Sequence, residues 1–329
     1  MVVVFHGQTA SAFSEGFAGF VHDAHDITVL SGPLTRGADR RAYASADVIV
    51  SFEFDARVPR PERLKLFQVP GAGYDAIDLE AVPHSAVVCN CYGHEQAIAE
   101  YTMAALLMRQ VPLAAADERL RGGDWAYRFR HSEAIHDELA DKTIGLLGFG
   151  HIGRAIAARA KAFEMRVHVA NRSPVPASAL VDRSFGLHAL AAFWPSADFF
   201  VVTLPLAAET LGIVGAAAFT AMRPTAVLVN VGRGLTVDER ALFDALKNGR
   251  IAGAVIDTWY NYPSSASPKV YPSALPFHEL SNVVMTPHMS GWTPGTIRRR
   301  QRTIADNVDR LMRGDVCINI VRPARFDRT

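Results

Sequence analysis

Thr143-Ile144-Gly145-Leu146-Leu147-Gly148-Phe149-Gly150-His151-Ile152-Gly153, continued by Arg154-Ala155-Ile156-Ala157-Ala158-Arg159-Ala160, decides the fold of this chain. The apolar run reads as a buried strand and the run beyond the glycines as a helix. Gly-x-Gly-x-x-Gly alone is a weak signal. Between a strand and a helix it becomes a dinucleotide-binding fingerprint. Gly148 permits the tight turn, Gly150 lets the backbone approach a pyrophosphate, and Gly153 lets the helix sit close to the strand. The free N–H groups and positive dipole end of the helix then face the pyrophosphate. The alternative is a glycine-rich strand–helix turn with no ligand.

An α/β series extends from this stretch. It begins at Lys142, and its further strands are expected at Val167–Ala170, Phe199–Leu204, Ala226–Val231, Ala252–Ile256 and Val283–Thr286. This is the pattern of a doubly wound sheet of Rossmann type. An earlier series, Val2–Phe5, Ile27–Leu30, Val48–Phe52, Leu66–Val69 and Ala86–Cys89, predicts a smaller parallel-sheet unit. Ile98–Gln110 has a strong helix pattern that Pro112 ends or restarts; residues 121–141 look irregular; Thr258–Ser281 reads as a long ordered loop. A last helix is expected over Thr296–Met312. The fold class is therefore α/β, with two Rossmann-like or flavodoxin-like domains of doubly wound parallel sheets. Residues 100–290 form a dinucleotide domain inserted in a substrate-binding domain made of residues 1–99 and 291–329.

Bulk properties narrow the function. A chain of 329 residues suits two cores. A net charge of +1 gives no overall field toward nucleic acid or anionic membrane. The basic run Arg298-Arg299-Arg300 with Arg302 reads as a solvated helix face rather than a polyanion site. Cys89, Cys91 and Cys317 cannot form a disulfide framework, and Cys89-x-Cys91 lacks the gap of a zinc knuckle, so buried thiols and no metal site are expected. Met1-Val2-Val3-Val4-Phe5-His6 reads as a first strand and not a signal peptide, and no apolar stretch reaches membrane-spanning length. Cytoplasmic location is the expectation.

An enzyme that uses NAD normally ends its second strand in Asp or Glu, which binds the ribose hydroxyls. Here Met165–Ala170 runs into Asn171-Arg172-Ser173. Arg172 offers a planar fork for a 2′-phosphate, and Asn171 and Ser173 offer neutral hydrogen bonds. NADP(H) is therefore expected over NAD(H), the alternative being a surface arginine beside a pocket that still takes NADH.

Three further motifs carry chemistry: Val229-Asn230-Val231-Gly232-Arg233-Gly234, Gly253-Ala254-Val255-Ile256-Asp257 and Thr286-Pro287-His288-Met289-Ser290-Gly291-Trp292-Thr293. With the fingerprint, the loop Gly71-Ala72-Gly73-Tyr74-Asp75 and the hinge-like Ala97-Ile98-Ala99-Glu100, the chain resembles the D-isomer-specific 2-hydroxyacid dehydrogenases over nearly its whole length. Arg233 ends an apolar strand at its carboxyl end, where a substrate carboxylate would satisfy it. His288 also follows an apolar strand and suits a general acid or base at the reacting oxygen. The Ala72–Gly73 backbone would present N–H groups to the substrate anion.

The resemblance implies more. His151 and Ile152 would touch the pyrophosphate through their backbone. Thr203-Leu204-Pro205, Val231-Gly232-Arg233 and His288 would flank the cofactor, with Asp257 at its nicotinamide end. The substrate would be a small carboxylate held in a cleft between the domains. Homodimers would form through the nucleotide domain, using Glu100–Asp141.

Two positions depart from the resembled pattern. The family glutamate that partners the catalytic histidine is replaced by Tyr262, followed by Pro263. A tyrosine can orient His288 but supplies no charge to raise its pKa. Either His288 titrates lower than in relatives, or another carboxylate such as Glu95 takes the role, or hydroxyacid chemistry is weak. At His94 the family usually has a small polar residue, so a bulky group is expected among the substrate-binding residues, or else a loop histidine facing water. The expected function is interconversion of a 2-keto acid and a D-2-hydroxy acid, with Arg233, His288 and Tyr262 as the catalytic set. The alternatives are a formate-, phosphite- or phosphonate-type dehydrogenase of the same superfamily and a catalytically silent NADP-binding sensor.

Overall fold

Residues 1–23, 25–130, 134–264 and 267–325 are described by a computed structural model. Parts of two loops expected from the sequence, 131–133 and 265–266, lie outside the described residues. The chain divides into two compact units, Met1–His94 with Trp292–Thr329, and Glu95–Gly291. The second is thus inserted in the sequence of the first.

The inserted unit carries seven strands: β6 (Thr143–Leu147), β7 (Arg166–Asn171), β8 (Arg183–Gly186), β9 (Phe199–Val202), β10 (Val227–Asn230), β11 (Gly253–Ile256) and β12 (Val283–Met285). Their spatial order is β12-β11-β10-β9-β6-β7-β8, and every pairing is parallel. Strands β6, β9, β10 and β11 are buried along their whole length. Helices cover both faces, which is why these strands read as continuous apolar runs rather than alternating ones. The chain winds outward from β6 through β7 to β8, then returns to β9 on the other side of β6. The switch point falls at the carboxyl ends of β6 and β9, where open α/β sheets bind ligands.

The first unit has β1 (Val2–His6), β2 (Asp26–Leu30), β3 (Val48–Val50), β4 (Leu66–Gln68), β5 (Val87–Cys89) and β13 (Ile320–Arg322), in the order β13-β5-β4-β3-β1-β2. Five strands are parallel in a flavodoxin-like arrangement. The sixth was not among the strands expected from the sequence: β13 runs antiparallel to β5. It is a three-residue edge strand entered by the chain after the long helix Pro294–Arg313. That helix starts with Thr293 as N-cap, its side chain accepting from Thr296 N, and stops at Gly314 in the left-handed region. The expectation of a solvated arginine face holds only in part. Arg300 is buried, and Arg299 donates from Nε to Gly93 O at 2.6 Å. All three cysteines are buried free thiols. Among the described residues no helix is long and apolar enough to cross a membrane, and no group of His, Cys, Asp and Glu is placed to hold a metal.

Candidate functional site

The cofactor cradle begins where β6 ends. Gly148 has φ +103°, and a Cβ there would lie 2.8 Å from Thr203 Oγ1. Thr203, just past β9, donates from that oxygen to Leu147 O at 3.2 Å and Gly148 O at 3.1 Å, tying the two strand ends of the switch point together. At Gly153 a Cβ would meet Gly148 O at 2.4 Å, so only glycine lets the helix His151–Ala162 pack this close. Gly150 differs: a Cβ there would meet nothing within 4 Å. The floor of the turn is closed and its mouth is open at a helix N-terminus, which fits a bound pyrophosphate. The helix is seated by Gly153, Ile156, Ala157 and Ala160, one buried stripe at helical spacing. His151 is exposed and Ile152 half-buried at its first turn.

Beyond β7, the Asn171 side chain is already engaged. Its Oδ1 accepts from Phe149 N at 3.2 Å and its Nδ2 donates to Ser173 O at 2.9 Å, so it fastens the fingerprint loop. Arg172 is largely exposed, with Nη1 3.6 Å from Glu209 Oε1. Leu204 is buried and Pro205 exposed beyond Thr203, and Pro205 O accepts from Thr210 Oγ1 at 2.7 Å.

The chemical residues follow β10, β11 and β12, at the same carboxyl edge. After β10, buried Asn230 accepts from Gly232 N at 3.1 Å and donates to Arg233 O at 3.1 Å, while Thr236 Oγ1 donates to Arg233 O at 2.6 Å. The Arg233 backbone is thereby held from both sides; its Nη1 donates to Gly232 O at 3.0 Å. Val231 and Gly232 are buried against the strand ends. After β11 comes Asp257, fully buried. Its carboxylate accepts from Thr286 Oγ1 at 2.6 Å, Met289 N at 2.8 Å and Ser290 N at 3.0 Å. The family resemblance implies a place for Asp257 at the nicotinamide end of the cofactor. In the structure this carboxylate anchors the turn that carries His288.

His288 sits in that turn at φ +57°, a left-handed conformation unusual outside glycine. Its Nδ1 lies 3.0 Å from the Tyr262 hydroxyl, and the same hydroxyl oxygen accepts from Trp259 N at 3.1 Å. Trp259 braces the turn as well, donating from Nε1 to Thr286 O at 2.8 Å. Tyr101 reaches Thr286 Oγ1 at 2.7 Å from the helix Glu95–Gln110. Crowding by protein atoms lowers the His288 pKa below its ordinary 6.5; Asp257 opposes this and Arg233 adds to it. Burial raises the Tyr262 pKa, so the phenol stays neutral. Unlike a carboxylate, that hydroxyl can donate to Nδ1 or accept from it.

Of the residues singled out from the sequence, the inserted unit brings Arg233, His288, Tyr262 and Asp257 into one electrostatic group. In the first unit, the Ala72–Gly73 loop is pinned by Asn90 Nδ2 donating to Ala72 O at 2.8 Å and Cys91 N donating to Gly71 O at 3.0 Å. His94 is buried rather than facing water. Tyr101 was not legible as a site residue, because it acts on the His288 turn through a partner distant in sequence.

A dinucleotide cradle at the switch point, with an arginine after β10 and a histidine after β12 at the same carboxyl edge, defines a nicotinamide-dependent oxidoreductase. The model of the D-isomer specific 2-hydroxyacid dehydrogenase NAD-binding domain matches residues 102–290. The chain belongs to that family. It is 33% identical over 264 residues to a glyoxylate reductase of Pyrococcus furiosus, covering 77% of this chain and 74% of that one. A solved NADPH-dependent glyoxylate/hydroxypyruvate reductase of Sinorhizobium meliloti, in complex with citrate, superposes with TM-score 0.78 at 27% identity, covering 99% of each chain. An acyclic imino acid reductase in complex with NADPH and D-Arg gives TM-score 0.78 at 25% identity, covering 98% of this chain and all of that one.

Proposed function

We propose that this NAD(P)-dependent enzyme is an NADPH-preferring 2-ketoacid reductase, equivalently a D-2-hydroxyacid dehydrogenase. The observation that carries the reading is the group of Arg233, His288 and Tyr262 at the strand ends beside the cradle. Arg233 holds the substrate carboxylate through its planar fork. His288 delivers a proton to the carbonyl oxygen in reduction and removes it in oxidation. Tyr262 orients the imidazole. The bound cofactor supplies or accepts the hydride. Gly148, Gly150, His151, Ile152 and Gly153 hold its pyrophosphate, Arg172 its 2′-phosphate, and Thr203 to Pro205 with Val231 and Gly232 its nicotinamide half. Ala72, Gly73 and His94 remain substrate-binding candidates on the strength of the sequence.

NADPH preference is supported by the missing acidic residue after β7, by the exposed guanidinium of Arg172, and by similar structures named for NADPH. A homodimer is supported by exposed apolar side chains at Met108, Leu113, Leu120, Trp125, Phe129 and Ile135. Light scattering tests it, and Phe129→Asp should yield monomers. Three free buried thiols support a reducing, cytoplasmic setting. The activity is tested by oxidation of NADPH and NADH with glyoxylate, hydroxypyruvate, phenylpyruvate and branched 2-keto acids. Turnover of one of them supports the reading, and silence on all with cofactor binding intact rejects it.

A further inference from the structure

We propose that the site reduces 2-imino acids, the condensation products of 2-keto acids with ammonia or a primary amine, in preference to the keto acids themselves, because Tyr262 partners His288 with a neutral hydroxyl. This rests on the assignment of Arg233 and His288 to substrate given above.

A 2-keto acid that gains a hydride at C2 becomes an alkoxide, and it needs a proton on oxygen within the site. That proton must come from an imidazolium. A carboxylate beside Nδ1 would favour the cation, but here Nδ1 meets a phenol at 3.0 Å. Asp257 acts on the ring in favour of the cation, and Arg233 acts against it. Partial burial of the ring outweighs Asp257 and holds its pKa below the ordinary 6.5, which disfavours the cation.

A 2-imino acid already carries its proton as C=NH₂⁺. Its C2 gains the hydride, the C=N π pair moves onto nitrogen, and a neutral 2-amino group results while NADPH becomes NADP⁺. No proton need enter. A neutral His288 suits this substrate in a second way. Trp259 N–H occupies one lone pair of the Tyr262 oxygen, and the other is available to Nδ1–H. The phenolic proton turns outward, where Tyr262 is half exposed. Nε2 then presents a lone pair to the C=NH₂⁺ protons, whereas an imidazolium would repel them. The substrate keeps the carboxylate that Arg233 requires.

The test has two arms. The enzyme is given NADPH and pyruvate or phenylpyruvate with and without methylamine from pH 6 to 9.5, and products are separated as hydroxy acid or N-methylamino acid. Histidine ring signals of the cofactor-free protein are titrated by NMR, with His288→Asn for assignment. The proposal expects N-methylamino acid as the main product at pH 8 and above, while hydroxy acid formation falls about tenfold per pH unit. It also expects a His288 midpoint below the ordinary 6.5. Tyr262→Glu should raise the midpoint and turn the product toward hydroxy acid. Hydroxy acid alone at every pH, unaffected by amine, overturns the proposal and leaves the ketoacid reductase reading standing. A His288 midpoint above 6.5 in the native protein overturns it as well. No product of either kind, with cofactor bound, overturns both readings.

Discussion

The Tyr262 hydroxyl and His288 Nδ1 stand 3.0 Å apart, where a carboxylate would have fixed a charge on the ring. The pair predicts the pH dependence of keto acid reduction. His288 must be protonated to act as an acid, and its pKa is lowered by crowding. Activity on keto acids should therefore rise as pH falls through a midpoint below 6.5 and decline above it. Tyr262→Glu should move the limb to higher pH, each unit corresponding to about 1.4 kcal/mol of cation stabilisation. A kcat/KM profile with the same midpoint in both proteins would remove Tyr262 from the account.

Asp257 holds the His288 turn with three accepted hydrogen bonds while wholly buried. Asp257→Ala strands the Met289 and Ser290 N–H groups, at about 1–3 kcal/mol for each unsatisfied donor. Both Tm and kcat should fall. Asp257→Asn retains an acceptor and should lie between. An unchanged Tm in the alanine variant would show that the turn is held by other contacts.

The Arg172–Glu209 pair is exposed on both sides, so it is worth about 0–1 kcal/mol and is readily broken. A 2′-phosphate would compete with Glu209 for the guanidinium. Glu209→Gln should tighten NADPH binding, Arg172→Ala should weaken it about tenfold or more, and NADH should respond to neither. Calorimetric Kd values decide this; parallel changes for both cofactors would count against a phosphate role for Arg172.

The fingerprint glycines separate folding from binding. A Cβ at Gly150 meets no protein atom within 4 Å, whereas one at Gly153 meets Gly148 O at 2.4 Å. Gly150→Ala should leave the stability within about 0.5 kcal/mol of the native protein, the usual range for a substitution that creates no clash, while weakening cofactor binding. Gly153→Ala should lower both stability and binding. Equal cofactor affinity in Gly150→Ala and the native protein would place the pyrophosphate elsewhere.

The buried parallel strands were legible because both faces are covered: β6, β9, β10 and β11 consist almost wholly of apolar residues. The edge strands were not. β8 is Arg-Ser-Phe-Gly and half open to solvent, and β13 is three residues long, so neither shows an apolar period. The same division holds at the site. Arg233 and His288 stand at strand ends within local motifs, whereas the support of the His288 turn by Asp257, Trp259 and Tyr101 exists only once β11, β12 and the helix Glu95–Gln110 are assembled. Asn171 shows the converse, since its position suggested the cofactor and its amide serves the loop.

The most direct test of the account compares the native enzyme with Arg233→Ala on glyoxylate and hydroxypyruvate, with NADPH oxidation followed at steady state. The account predicts turnover by the native protein and a loss of about 10²–10³-fold in kcat/KM for the variant, the usual effect of removing one donor aimed at developing charge, with partial recovery in Arg233→Lys. Near-native turnover in folded Arg233→Ala would contradict it.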